Sequence, residues 1–193
     1  MGGTVSLTPL GISVLALLSE RPMHPYEMYR LLVERREDRI VKVRPGSLYH
    51  TVDRLAGLGH VEATGTDRDG GRPERTTYRV TPSGRAALAD RIRGVLAAPV
   101  NEFPVFPVAL AEAHNLPRRE VVELLTGRVD RLRATHDETG AALDAADAVP
   151  VEEAYTLAGR YTQALLSTEL SWLTDLIGRL ERKELRWPLD DRL

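Results

Sequence analysis

The side chains best suited to bind a charged partner lie between Lys42 and Arg75. Two basic residues, Lys42 and Arg44, precede Pro45, and polar side chains follow at helical spacing. Guanidinium groups bind phosphates through two parallel hydrogen bonds, while hydroxyl, imidazole and guanidinium groups can hydrogen-bond base edges. The chemistry that this stretch offers is therefore nucleic-acid recognition. The candidate residues for contacts to bases in a groove are Ser47, Tyr49, His50 and Arg54, and those for phosphate contacts are Lys42, Arg44, Arg72 and Arg75.

A helix is predicted to begin at Pro45, because proline suits the first helical position. Leu48, Val52 and Leu55 recur at helical spacing and form one apolar stripe. Because successive side chains are about 100° apart around the helix axis, the residues between the apolar ones lie on the opposite side. That polar side carries Gly46, Tyr49, His50, Asp53 and Arg54, with Ser47 at its border. Taken alone, the helix fits equally well an ordinary amphipathic helix with a solvated face.

A β-ribbon is predicted after this helix. Gly59 fits a helix C-cap, Val61 begins a strand, and Gly70-Gly71 supply a turn. The turn carries Arg68, Arg72 and Arg75, interleaved with Asp67, Asp69 and Glu74. In isolation such a turn is interpreted as a solvated hairpin tip. Next to a helix that binds in a groove, its arginines can contact the adjacent phosphate backbone. The order of helix and basic ribbon indicates a winged helix-turn-helix.

Cap signals delimit the flanking helices. Thr8-Pro9 and Thr81-Pro82 each join an N-cap hydroxyl to a first-turn proline, and His24 stands at an N-cap position before Pro25. The expected fold class is therefore mainly α with a small β-ribbon. A winged helix-turn-helix DNA-binding domain is expected over residues 1–98, followed by an α-helical dimerisation and effector domain over residues 99–193.

Charge and proline content mark the boundary between the two domains. Residues 1–98 carry 15 Lys/Arg and 11 Asp/Glu, a net charge of +4, whereas residues 99–193 carry 11 and 17, a net charge of −6. Three prolines between Pro99 and Pro107 prevent a helix from continuing across the boundary. A cationic first half with an acidic second half fits a DNA-binding module joined to another kind of module.

The second half predicts two helices. One begins after Pro117, and Gly140 and Pro150 are expected to interrupt it. Its apolar side comprises Val121, Leu124, Leu125, Val129 and Leu132. Residues 151–183 predict a single amphipathic helix about 50 Å long. Its apolar stripe comprises Ala154, Ala158, Tyr161, Leu165, Trp172, Leu173, Leu176, Ile177 and Leu180. A helix of that length exceeds what a half of about 95 residues can cover, so we expect it to pack on a second chain. The alternative is an intramolecular hairpin.

Several other classes of protein fit the sequence poorly. The absence of cysteine excludes disulfides and thiolate metal sites, and no apolar run is long enough to span a membrane. The first residues lack a secretion signal, so a cytoplasmic location is expected. The five histidines show no metal-ligand spacing, and no nucleophile or nucleotide motif is present. The sequence therefore predicts neither an enzyme nor a cofactor.

Three stretches resemble the signatures of the PadR-like transcriptional regulators, a family of bacterial winged-helix repressors. They are Pro-Met-His-Pro-Tyr-Glu-Met at 22–28, Pro-Gly-Ser-Leu-Tyr at 45–49, and Tyr-Arg-Val-Thr-Pro-Ser-Gly-Arg at 78–85. Residues 101–104 and 116–120 are more loosely similar to the helical effector and dimerisation region of one PadR subfamily. Pro25 replaces an expected glycine, but a first-turn proline is compatible with the same turn.

The resemblance implies a homodimeric DNA-binding regulator, expected to be a repressor of a palindromic operator. It also implies that a small molecule bound at the dimer interface, among the helices after Pro107, could release DNA. The aromatic side chains available to such an effector are Tyr155, Tyr161, Trp172 and Trp187. One alternative is another class of winged-helix dimer. A second is a protein-interaction or ligand-binding module that does not bind DNA, which the acidic residues Asp53, Asp69 and Glu74 favour.

Overall fold

Seven α-helices and one two-stranded ribbon make up the part of the chain that the computed structural model describes, residues 6–67 and 75–189. In order they are α1 (Pro9–Glu20), α2 (Pro25–Glu34), α3 (Pro45–Gly57), β1 (Val61–Asp67), β2 (Arg75–Val80), α4 (Pro82–Ala97), α5 (Val105–Ala111), α6 (Arg118–Asp147) and α7 (Leu157–Glu181). Two units are distinguished, Met1–Glu102 and Phe103–Leu193. The predicted fold class, mainly helical with a winged helix-turn-helix, is confirmed. Among the described helices, none has the length and apolarity needed to cross a membrane.

The first three helices share one core. Val14 and Leu15 of α1, Met28 of α2, and Leu48 and Leu55 of α3 are all fully buried. The predicted stripe of α3 therefore faces inward, and its polar side faces solvent. Tyr26, at the start of α2, and Leu58, directly after α3, are exposed although both side chains are largely apolar.

The predicted N-caps of the first unit are confirmed. The Thr8 hydroxyl accepts the backbone N–H of Gly11 at 3.2 Å, and Nδ1 of His24 accepts that of Tyr26 at 3.1 Å. Thr81 likewise accepts the N–H of Gly84 at 3.1 Å. Each cap satisfies a first-turn N–H that the helix itself leaves unpaired. These local bonds fix where α1, α2 and α4 begin.

The start of α4 is fastened to the corner between α3 and β1. The backbone N–H of Thr81 donates to the carbonyl of His60 at 3.0 Å, and its hydroxyl donates to the carbonyl of Gly59 at 2.7 Å. A Cβ atom at Gly84 would lie 2.1 Å from the His60 oxygen, so glycine is required there. Gly59 itself has a φ of +70°, as expected after a helix end.

The ribbon is also joined to the turn between α1 and α2. β1 and β2 pair antiparallel, with Val61 opposite Val80 and an irregularity between Ala63 and Gly65. Met23 and Tyr78 then exchange backbone hydrogen bonds of 3.0 Å in both directions. The base of the wing is therefore held on two sides, by the turn at Met23 and by the start of α4.

The second unit is built on the hairpin of α6 and α7. Its buried hydrophobic residues come from both helices and are Val121, Leu125, Val129, Leu173 and Leu180. The predicted interruption at Gly140 is wrong, because α6 continues to Asp147. A Cβ atom at Gly140 would lie 3.2 Å from Nε2 of Gln163 on α7, so this glycine permits close packing. A helical glycine costs only about 1 kcal/mol, which such packing offsets.

The last helix is shorter than predicted. α7 begins at Leu157 because residues 153–155 form a 3₁₀ turn, in which the N–H of Tyr155 donates to the carbonyl of Glu152. Leu173 is fully buried, and Leu176 and Ile177 are partly buried. The first half of the stripe is exposed, at Tyr161 67%, Leu165 53% and Trp172 50%, and Leu157 beside it is 59% exposed. A single chain therefore covers only the second half of this stripe.

Candidate nucleic-acid interface

The polar face of α3 and the loop before it form one exposed surface. Leu48, Val52 and Leu55 anchor the helix, since each is at most 1% exposed. The predicted site residues on the opposite side are all solvent-accessible, namely Lys42, Arg44, Ser47, Tyr49, His50 and Arg54. Arg72 lies outside the described residues, as does the side chain of Arg75, whose backbone begins β2. Six of the eight predicted residues are thus brought to one surface.

The cations beside α3 differ from other arginines of the unit in their partners. Arg21, Arg35 and Arg79 form ion pairs with glutamates, at the distances of direct hydrogen bonds. Lys42 and Arg44, by contrast, have no ion-pair partner within residues 6–67 and 75–189. An unpaired cation remains available to a phosphate, whereas a paired one must first leave its carboxylate. The two basic residues that flank the helix are therefore available to a phosphate without first breaking an ion pair.

The first turn of α3 has no side-chain cap. Arg44 occupies the N-cap position in an extended conformation, and its side chain does not bond the helix. Around Gly46 there is open space, since a Cβ atom placed there would have no neighbour within 4 Å. The hydroxyl of Thr51 donates to the backbone carbonyl of Ser47 at 2.8 Å, and Ser47 itself is exposed. The first-turn N–H groups are thus accessible to a phosphate oxygen.

Tyr49 is positioned by a residue outside α3. Its ring meets that of His24 edge to face, with centroids 6.1 Å apart and an interplanar angle of 74°. His24 is itself fixed, because its Nδ1 caps α2 and must be unprotonated to accept the Tyr26 N–H. Sequence reasoning identified His24 as a cap but missed its contact with the candidate interface. Tyr49 remains 42% exposed, so part of its ring is free to contact a partner.

Arg54 is held at the edge of the surface. Its Nη2 donates to the hydroxyl of Thr8 at 3.1 Å, the same oxygen that caps α1. A Cβ atom at Gly11 would lie 3.8 Å from that nitrogen, so the guanidinium rests against the first turn of α1. Helix-turn-helix proteins contact bases chiefly with the first residues of the recognition helix. Arg54 is the tenth residue of α3, which favours a backbone phosphate as its partner.

An acidic group lies within the same face. Asp53 is exposed on α3. The pKa of Tyr78 is raised, chiefly by burial and additionally by the negative charge of Asp53. This carboxylate repels a phosphate nearby but can accept a hydrogen bond from the amino group of a cytosine. The face is therefore mixed in charge, unlike a uniformly basic patch.

The four aromatic residues predicted for an effector do not converge. Tyr155 lies before α7 and is 81% exposed, and Tyr161 and Trp172 are on α7 itself. Trp187 follows α7, where its Nε1 donates to the carbonyl of Leu116 at 2.8 Å. Because α7 is about 37 Å long, Tyr155 and Trp187 lie near its opposite ends. Within the described residues, no group of three acidic or histidine side chains is placed to hold a metal.

Comparison with known proteins identifies the first unit. Residues 14–90 match the model of the "Transcriptional regulator PadR-like family". This range contains the helix-turn-helix, the wing and the first part of α4. No match was found among the curated proteins.

Solved structures share the fold over nearly the whole chain. Bacillus subtilis PadR in complex with operator DNA is 18% identical with a TM-score of 0.74, and the match covers 90% of this chain and 99% of that one. The same protein with p-coumaric acid is 16% identical with a TM-score of 0.68, covering 90% and 98%. The Vibrio cholerae virulence activator AphA is 16% identical with a TM-score of 0.68, covering 90% and 99%. Residues 14–90, which form the winged-helix unit, therefore match the sequence pattern of the PadR-like family of transcriptional regulators.

Proposed function

We propose that this chain is a cytoplasmic, homodimeric repressor that binds a palindromic operator through α3 and the basic ribbon. One observation carries the proposal. Lys42 and Arg44 are exposed and have no ion-pair partner in the described residues. They lie beside the polar face of α3, which is turned to solvent because Leu48 and Leu55 on the other side are buried. That arrangement supplies unpaired cations for phosphates next to hydrogen-bonding groups for bases.

The surface divides into two kinds of contact. Ser47, Tyr49 and His50 lie in the first half of α3, which enters the major groove in helix-turn-helix proteins, and we assign base contacts to them. The basic residues at the margins are assigned to phosphates, namely Lys42, Arg44, Arg54, Arg72 and Arg75. For Arg54 this revises the base contact expected from sequence, on the strength of its bond to Thr8.

The uncovered apolar stripe of α7 supports the homodimer. Four large side chains between Leu157 and Trp172 are at least half exposed. A continuous apolar surface of this kind marks a protein interface, and closed two-fold dimers are the commonest assembly. A two-fold dimer presents two copies of α3 to two half-sites, which is why a palindromic operator follows.

The direction of regulation rests on family resemblance. Among the similar folds, one was solved with operator DNA, one with p-coumaric acid, and one is described as an activator. We propose repression with release by a small molecule. Such release requires the ligand to bind more tightly to the conformation that does not hold DNA. By reciprocity, operator DNA must then weaken ligand binding by the same factor.

The test begins with selection of genomic fragments by the purified full-length protein, starting from the promoter beside its own gene. Anisotropy titrations then compare wild type with Arg44→Ala across salt concentrations. Arg44→Ala should weaken binding to all sequences and lower the salt slope by about 0.9 per phosphate contact removed.

Arg119→Ala is the matched control, because Arg119 is 91% exposed in the second unit. It should bind as wild type does. A wild-type protein that selects no fragment would contradict the proposal and support the alternative, a winged-helix module that binds protein or ligand. That alternative is favoured by Asp53 on the α3 face.

A further inference from the structure

A cavity of about 300 Å³ opens within the second unit, between α5, the 3₁₀ turn Ala113–Asn115 and the first half of α6. Its walls are mainly apolar and include Phe106, Leu110, Ala113, Leu116, Leu124 and Leu125. Small-molecule sites are apolar clefts of about this volume or larger, with a few polar groups that orient the ligand. The volume suits a molecule of one or two rings.

Two arginines one turn apart on α6, Arg128 and Arg131, supply the polar part of this wall. The Arg128 guanidinium lies 3.6 Å from the centre of the Phe106 ring and donates to Oε1 of Glu169 from both Nε and Nη2, at 3.0 and 2.6 Å. Stacking and pairing fix Arg128 in place. Its remaining role is to shape the wall.

The second arginine is in a different state. The Arg131 side chain is exposed at the cavity and has no hydrogen-bond or ion-pair partner in the described parts of the chain. The carboxylate of Glu112, which also lines the cavity, instead accepts Nδ2 of Asn115 at 3.1 Å. Arg131 is therefore a positive charge with no direct ion-pair partner in the described parts of the chain, although the Glu112 carboxylate, bonded to a neutral amide, lines the same cavity.

Leu124 indicates that the apolar part of the cavity needs a partner. The stripe of α6 predicted it to be buried with Val121 and Leu125, yet it is 56% exposed on the cavity wall. Covering such a side chain is worth about 25 cal/mol per Å² of apolar surface removed from water. A ligand with an apolar body would gain this energy, and its charge would meet Arg131.

We propose that this cavity binds a small amphipathic carboxylate, with its apolar body against Leu116 and Leu124 and its carboxylate on Arg131. The inference deepens the effector part of the proposed function and moves the site away from the four aromatic residues considered above. The fluorescence of Trp187 can report binding, because this residue lies next to the cavity. Its indole donates to the carbonyl of Leu116, directly behind the cavity wall.

The experiment is calorimetric titration of the full-length protein, without DNA, with a naphthalene carboxylate and with the corresponding neutral carboxamide. The carboxylate should bind at least about tenfold more tightly, because a hydrogen bond to a charged group is worth about 1.5–3 kcal/mol. Arg131→Gln should remove this preference. Arg133→Gln is the matched control, since Arg133 lies on the same helix and pairs with Asp130. It should behave as wild type does.

Leu124→Gln tests the apolar wall independently, and it should weaken both compounds about equally. Because Arg131 and Leu124 are exposed, these variants should retain the wild-type helix content by circular dichroism. Equal affinity for acid and amide, an unchanged preference in Arg131→Gln, or no binding of either compound at about 1 mM would overturn the proposal. If a second chain fills the cavity, neither compound will bind. Since DNA is absent, failure here is distinguishable from failure of operator binding.

Discussion

The two units cover their apolar residues to very different extents. In the first unit, 15 buried hydrophobic residues from three helices, the ribbon and the adjoining loops form one cluster, whereas the second unit has 5. The second unit also contains the longer helices, α6 and α7, whose exposed side chains include four large apolar ones on α7. The first unit therefore builds a large core from its own residues, although Ile92, Val95 and Leu96 of α4 remain exposed, whereas the second unit has a small core and leaves apolar surface on its long helices.

The largest effect is expected where the first unit is packed most closely. Gly84→Ala places a Cβ atom 2.1 Å from the carbonyl oxygen of His60, a backbone atom that cannot move alone. We expect a loss of about 3 kcal/mol or more of unfolding free energy, as for overpacked cores, measured by urea denaturation. Gly94→Ala on the same helix meets nothing within 4 Å and should stabilise by about 0.5–1 kcal/mol. Similar losses for both variants would contradict this account.

A second effect separates assembly from folding in the second unit. Leu165→Asp puts a charge into the exposed half of the α7 stripe, where it cannot disturb the buried core around Leu173. The dimer should weaken by a factor of about 100 or more, about 3 kcal/mol, while helix content is retained. Light scattering at micromolar concentration measures the change.

Thr174→Asp provides the control for that variant. Thr174 is also exposed, but it lies nine residues from Leu165 and therefore half a turn around the helix axis. The same added charge should leave the wild-type mass unchanged. A wild-type monomer, or dissociation of both variants alike, would show that the stripe is not the interface.

A third prediction distinguishes two positions on α3. His50→Ala should relax base preference at one position per half-site, at a cost of about 1–3 kcal/mol. Arg54→Ala should weaken all sequences alike and lower the salt slope, because its guanidinium sits by Thr8 at the margin. Binding to a panel of single-base operator variants separates the two outcomes. If Arg54→Ala instead loses affinity at one base position only, Arg54 contacts a base and not a phosphate.

The smallest effect concerns pH. Burial raises the pKa of Glu37 above its ordinary value of 4.5, although Arg35 and a hydrogen bond from Ser13 oppose the shift. The folded state therefore binds this proton more tightly, so the ionised carboxylate destabilises the unit at neutral pH and its cost disappears below about pH 4. Glu37→Gln should raise the melting temperature at pH 7 and not at pH 4. An equal rise at exposed Glu34→Gln, or at both pH values, would argue against burial as the cause.

Local chemistry explains what could be predicted from the sequence. Thr8, His24 and Thr81 cap their helices through residues at most three positions away, and the α3 stripe depends only on helical spacing. Both signals are contained in a few consecutive residues. The division of the chain into a basic and an acidic half is likewise a property of composition.

The remaining features depend on residues distant in sequence. The bond of Arg54 to Thr8 spans 46 positions, and no local pattern announces it. Gly140 resembles a helix stop until Gln163 of the next helix is placed against it. Leu124 belongs to an apolar stripe, and only the arrangement of α5 leaves it on a cavity wall. Sequence periodicity identifies which side of a helix is apolar, but not which parts of that side are covered.

The paired hydrogen bonds between Met23 and Tyr78 bear on how the first unit moves. They join residues 55 positions apart, one in the turn before α2 and one in the wing strand. Because both peptide groups must separate together, their amide protons should exchange with solvent only when the whole unit opens. The base of the wing and the helix-turn-helix are thus expected to open and close as one cooperative element. A ligand that reduces the motion of the wing should therefore also reduce the motion of the helix-turn-helix.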